Sequence, residues 1–171
     1  MNSVSTILSI ILKYAYTRGE AEKLLSVFRL LSEAYFYQQA DTRIMESIIQ
    51  ERLRNVPDTH FYFEALPELV EIIQKLTKGR IYETIHEISE ALELLPVLIL
   101  YVPIKFDHSD IKTIGTWIRE NIHEKILLQF IVNPNYRGGC GISWKGIMKD
   151  YSFSHFLNRE SRSIQSLIQN V

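Results

Sequence analysis

Apolar positions recur at helical spacing from the start of the chain to Pro96, and beyond that proline the period changes. Val4, Ile7, Leu8, Ile11, Leu12 and Ala15 predict a first helix, with Ser3 or Ser5 as N-cap and Gly19 as a stop. Ala21, Leu24, Leu25, Phe28 and Leu31 mark a second, ending near Gln39 to Asp41. Asp41 is placed to cap a third helix carrying Ile44, Met45, Ile48, Ile49 and Leu53, which stops before Pro57-Asp58. A short fourth helix is expected from Thr59 to Leu66. Pro67 suits the first turn of a fifth, whose stripe is Leu69, Val70, Ile73 and Leu76 and whose end is Lys78-Gly79. A sixth runs from Ile81 through Ile85, Ile88 and Leu92 toward Pro96. Short helices with brief connections predict an antiparallel bundle.

The run Val97 to Val102 lies between Pro96 and Pro103, and its length and continuous apolarity fit a buried strand. Ser109, within a capping segment Asp107-His108-Ser109-Asp110, is placed to cap a helix with Ile111, Ile114 and Ile118. Ile126 to Val132 and Cys140 to Met148 read as a second and third strand, and Ser152 starts a last helix with Phe153, Phe156, Leu157, Ile164, Leu167 and Ile168. The expected fold is α+β: a six-helix bundle over residues 1–95, then a small α+β domain over 96–171 with a three-stranded sheet covered by helices.

Composition narrows the partners. Of 171 residues, 46% are hydrophobic and 23% charged, a balance that builds a core rather than a disordered chain. A net charge of -1 gives no electrostatic case for nucleic acid, and Arg52 to Arg54 reads as a solvated helix face. The single cysteine, Cys140, has no internal disulfide partner. No cationic segment precedes an apolar one at the start, so a reducing cytoplasmic compartment is expected. Ile7 to Leu12 is far shorter than the roughly 20 residues of a membrane span. Contact with a membrane is therefore expected only through partners.

Candidate chemistry is sparse. Cys140 lies between Gly139 and Gly141, but an activated thiolate needs a base or a positive surrounding, and spacing does not bring His123 or His155 to it. Gly141 to Gly146 has neither the glycine two residues after serine of a nucleophile elbow nor the Gly-Lys-Ser/Thr end of a phosphate loop. His60, His86, His108, His123 and His155 show no metal-ligand pairing. Glu64, Glu68 and Glu71 could lie on adjacent helical turns, but the macrodipole of a helix start accounts for acidic residues there, and spacing alone does not make them an acid/base pair. No catalytic residue, cofactor or metal is expected.

The most specific pattern is Asn133-Pro134-Asn135-Tyr136-Arg137-Gly138-Gly139 followed by Asp150-Tyr151-Ser152. It describes a strand entering a turn, a glycine pair where φ > 0 or close approach is needed, a further strand, and an Asp/Ser helix start. It resembles the delta subunit of F-type ATP synthases, the oligomycin-sensitivity-conferring protein of mitochondria, in which an Asp-Pro-x-x-x-Gly-Gly turn precedes a hairpin strand and an Asp-x-Ser opens the last helix. Leu76-Thr77-Lys78-Gly79-Arg80-Ile81 is similar to that family's junction between its fifth and sixth helices. Three places depart from it. Asn133 stands for the aspartate, Ser143-Trp144-Lys145-Gly146 for an Arg-aliphatic-Gly, and Val4 to Leu8 keeps only the leucine of an opening Tyr-Ala-x-Ala-Leu.

The resemblance implies a non-catalytic stator subunit at the cytoplasmic face of the cell membrane. In the family the bundle grips an N-terminal helix of an alpha subunit between its first and fifth helices, and the C-terminal domain holds the ends of the b subunits. Carried onto this chain, the groove would use Ile10, Tyr14, Leu69, Ile72 and Ile73. The structural signature would be Pro134, Gly138, Gly139, Asp150 and Ser152. Two other readings stay open: a stand-alone helical adaptor unrelated to ATP synthase, and a small hydrolase using Cys140.

Overall fold

The computed structural model describes residues 3–38, 47, 51, 60–136 and 138–169. The expected third helix lies outside the described residues, apart from Ser47 and Glu51, which are helical.

Helix α1 (Ser3–Tyr14) buries Ile7, Ile10 and Ile11 on one stripe. Ile7 and Ile11 are fully hidden, each contributing about 2 kcal/mol by burial. Helix α2 (Arg18–Gln38) follows after a short junction. Gly19, expected to stop the first helix, sits in the first turn of α2, because a capping box starts that helix upstream of it. Thr17 Oγ1 accepts the Glu20 N–H at 3.1 Å, and Glu20 Oε2 accepts the Thr17 and Tyr16 N–H groups at 2.9 Å each.

Helix α3 (His60–Lys75) contains Pro67. The expectation of a fourth helix ending at Leu66 and a fifth opening at Pro67 is corrected: one helix runs through both. Proline removes one backbone donor and disfavours a helix interior. Here Tyr62, Ala65, Leu66, Leu69, Val70 and Ile73 continue a single buried stripe across it, and that burial outweighs the local penalty. A 3-10 turn (Lys78–Arg80) leads into α4 (Ile81–Glu93), whose Ile81, Ile85, Ile88 and Leu92 join the same core.

The second half holds β1 (Val97–Val102), α5 (His108–Asn121), β2 (Leu127–Val132), β3 (Gly141–Trp144), β4 (Ile147–Asp150) and α6 (Phe153–Gln169). The architecture is α+β, with six helices among the described residues and a mixed sheet in the order β2-β1-β3-β4. β1 and β2 are parallel, joined through α5, and β3 runs antiparallel to β1. The single strand expected from Cys140 to Met148 is a hairpin, so the sheet has four strands rather than three. Lys145 and Gly146 both take positive φ, 49° and 80°, the geometry of a tight hairpin turn whose twist suits the strands. Asp107, not Ser109, caps α5, its side chain accepting the Asp110 N–H at 2.8 Å.

Pro96 separates α4 from β1, yet the two sides meet through the α1–α2 junction. Leu128 N–H donates to the Tyr16 carbonyl at 2.9 Å, and Thr17 forms a parallel bridge with Leu128. Leu127 belongs to the core of the helical half. From α5, Arg119 donates to the carbonyls of Leu12 and Ala15, the latter at 2.6 Å, which satisfies acceptors at the end of α1. Its guanidinium also lies over the Tyr16 ring, 4.8 Å from the centroid. Burial pushes the Arg119 pKa down.

Candidate functional site

The two parts of the signature are in contact. Asn133 Oδ1 accepts the Asn135 N–H at 3.1 Å and its carbonyl accepts that of Tyr136 at 3.1 Å, so asparagine supplies the turn acceptor that an aspartate would. Pro134 follows in this turn. Gly138 and Gly139 take φ of 121° and 77°. The Gly138 carbonyl accepts the Phe153 N–H at 3.0 Å, and the Cys140 carbonyl accepts the Tyr151 N–H at 2.8 Å. A Cβ on Gly139 would run into the Tyr151 carbonyl. Gly138 is thus required by its backbone angle, and Gly139 both by its angle and by the chain lying against it.

That contact sets the start of α6. Asp150 Oδ1 accepts the Ser152 N–H at 2.7 Å, and Ser152 Oγ accepts the His155 N–H at 3.1 Å. Ser152 is buried, and these bonds cap the first turn of the helix. The Ser152 N–H holds the Asp150 carboxyl below the usual aspartate range. Desolvation raises the Tyr136 hydroxyl, which lies against Gly141.

The first two turns of α6 leave their apolar side chains open. Every side chain from Phe153 to Arg159 is exposed, with Phe153 at 56%, Phe156 at 50% and Leu157 at 39%. Ile147, Met148 and Tyr151 on the adjoining strand and turn are also exposed. Single surface hydrophobes are ordinary, but large ones at one, four and five along a helix, beside three more, form an exposed apolar patch among the described residues. A cleft of about 430 Å³ in this region is lined by Lys149, Tyr151, His155, Phe156 and Arg159, with Asp150 and Ser152.

The groove residues fare differently. Ile10, Leu69 and Ile73 are core side chains with 7% or less of their surface exposed, because α1 packs directly on α3. Only Tyr14 and Ile72 keep partial exposure. Tyr14 donates to Glu68 Oε1 at 2.7 Å, and Lys13 Nζ meets the same oxygen at 2.6 Å. Lys13 and then Tyr14 hold the Glu68 carboxyl below its usual range. Ile72 lies one turn beyond Glu68 and Ile10 one turn before Tyr14, so helical spacing places them along the same seam.

Cys140 is half-buried and packs against the core of the sheet. No hydrogen bond joins it to His123 or His155 among the described residues. No cluster of three metal-ligating side chains occurs among them either. Sequence reasoning missed Arg119 and Tyr16, since a side chain reaching carbonyls a hundred residues away leaves no local pattern. No protein-family model matches the chain, and no curated protein matches it.

Proposed function

We propose that this chain is the delta-type stator subunit of an F-type ATP synthase, joining the catalytic hexamer to the peripheral stalk against rotor torque. One observation carries the reading. The Gly138-Gly139 turn and the Asp150-x-Ser152 helix start, matched to the family by spacing alone, are joined by backbone bonds and together launch a helix whose first turns expose Phe153, Phe156 and Leu157. A signature that exists to present a helix fits a linker protein better than a reaction centre. In this reading the b-subunit ends dock on Phe153, Phe156 and Leu157. The alpha-subunit helix lies along the seam of α1 and α3 at Tyr14 and Ile72, with Ile10, Leu69 and Ile73 behind it. Helices α1, α2, α3 and α4 are the described members of its helical bundle. The protein acts without cofactor or active site, at the cytoplasmic face of the cell membrane and in contact with it through the complex. Among the described residues no helix is long and apolar enough to cross a membrane.

Phe156→Glu in the full chain tests the docking surface. The side chain is exposed, so folding should be unchanged. A charge placed in an apolar contact should weaken calorimetric binding of a fragment from the C-terminal end of b by at least roughly tenfold. Binding of an alpha N-terminal peptide should stay as it was. Equal affinity of Phe156→Glu and the unaltered protein for the b fragment would remove α6 from the proposal.

A further inference from the structure

The edges of a sheet carry backbone groups that their own sheet leaves unpaired, and β2 is one of the two edges here. Its hydrogen-bond phase follows from two bonds. Leu127 N–H donates to the Pro96 carbonyl at 3.0 Å and Asn133 N–H to that of Val102 at 2.8 Å. Residues two apart share a direction along a strand, so Leu127, Gln129 and Ile131 turn their backbone groups to β1 and Leu128, Phe130 and Val132 turn theirs outward. Leu128 is met on that side by Tyr16 and Thr17. The chain then leaves the edge to begin α2. Beyond it, the outward groups of Phe130 and Val132 have no backbone partner among the described residues.

This half of the edge also lacks the usual protection. No residue from Leu127 to Val132 is charged or proline, whereas the opposite edge, β4, carries Lys149 and Asp150. A cleft of about 660 Å³ runs beside it, with Phe106, Ile111, Phe130 and Val132 among its lining and Lys105 on its rim. The Phe106 and Phe130 rings meet edge to face at 5.5 Å, giving the cleft an apolar floor. Of its two cations, Arg18 is already paired with Glu22 at 2.9 Å. Lys105 is exposed and has no ion pair among the described residues.

We propose that the free half of β2 accepts an extended segment of a partner protein as an added strand, hydrogen-bonded to Phe130 and Val132 and carrying an acidic side chain toward Lys105. The backbone bonds supply the affinity of such strand addition, and side chains at alternate positions supply its selectivity. The segment presents β-branched or small apolar residues to Phe106 and Ile111. This site is separate from the α6 face and from the seam of α1 and α3, and it stands whether or not the stator reading does.

The test is an amide titration of the ¹⁵N-labelled full chain with a short synthetic peptide, acetyl-Asp-Val-Thr-Val-Thr-Val-amide, to millimolar concentration. Shifts and slowed exchange are expected at Phe130 and Val132. A peptide N-methylated at alternate residues, which removes its edge-facing donors, should leave those signals unmoved. Lys105→Glu should weaken binding ~fivefold or more. Val132→Pro removes one outward N–H while leaving the β1 ladder intact, so it should weaken binding in a folded protein. Shifts confined to other residues, or equal binding by the N-methylated peptide, overturn the proposal. So does broadening of the Phe130 and Val132 signals with protein concentration alone, which would mark a second copy at this edge.

Discussion

At Gly139 the backbone has φ of 77° and the Tyr151 carbonyl occupies the place of a Cβ. Valine there meets both obstacles, and Gly139→Val should cost about 3 kcal/mol or more. Cys140→Ala removes one half-buried sulfur from the rim of the sheet core and should cost no more than about 1 kcal/mol. Thermal melts of the two variants check this order. Asp150 gives a pH signature instead. Its folded-state pKa is depressed by the Ser152 N–H, so its contribution is fully present above the ordinary aspartate range and is lost as pH falls through the folded value. Asp150→Asn keeps an acceptor for that N–H but does not titrate. It should melt close to the unaltered protein at neutral pH and lack this part of the acid-side loss in melts down to about pH 2. Both residues were legible in the sequence, because turn glycines and helix caps act on near neighbours. That Gly138 and Cys140 bond to the chain entering α6 was not legible, since spacing records that both pieces exist and not that they touch.

Among the elements, those whose signals are local matched best. β1 falls between its two prolines as the apolar run predicts, and α4 keeps its stripe from Ile81 to Leu92. Pro67 misled because its local preference for a helix start was overridden by a core stripe continuing on both sides of it. The β3–β4 hairpin was hidden because its turn uses Lys145 in a left-handed conformation, where asparagine, aspartate or glycine would have announced it. The end of α1 depends on a distant partner. Arg119 hydrogen-bonds the Leu12 and Ala15 carbonyls and covers Tyr16, while Gly115 leaves room for the Tyr16 ring. Arg119→Gln should lower stability by about 2 kcal/mol, since charge-assisted bonds to partly buried carbonyls are lost. Faster hydrogen exchange at Tyr16 and Leu128 should accompany it, because that junction is held by the same contact. Unchanged exchange there would mean that the bridge to β2 stands without Arg119.

On the scale of the whole molecule, the change of period at Pro96 divides the chain into a helical half and a sheet half. Sequence carried that division but not the junction that ties the halves, made by the capping box at Thr17 to Glu20, Leu127 in the helical core and Arg119. The proposed stator role needs such a tie, since it asks the chain to transmit force between two partners rather than swing between them. The candidate surfaces divide in the same way. The stripe of α6 was legible as an amphipathic helix, while the exposure of Phe153, Phe156 and Leu157 was not, because periodicity gives a face and not what covers it. The seam residues Ile10, Leu69 and Ile73 carried the same apolar signal and are core. This chain is proposed to join a catalytic hexamer to a stalk, and a three-component reconstitution measures that directly. The purified hexamer and b-subunit soluble domains from the same source are passed over a sizing column with and without the full chain. In the stator role b should elute with the hexamer only when this chain is present, and Phe156→Glu should release b while leaving the chain on the hexamer. A folded chain that elutes alone, with neither the hexamer nor b shifted, would contradict it.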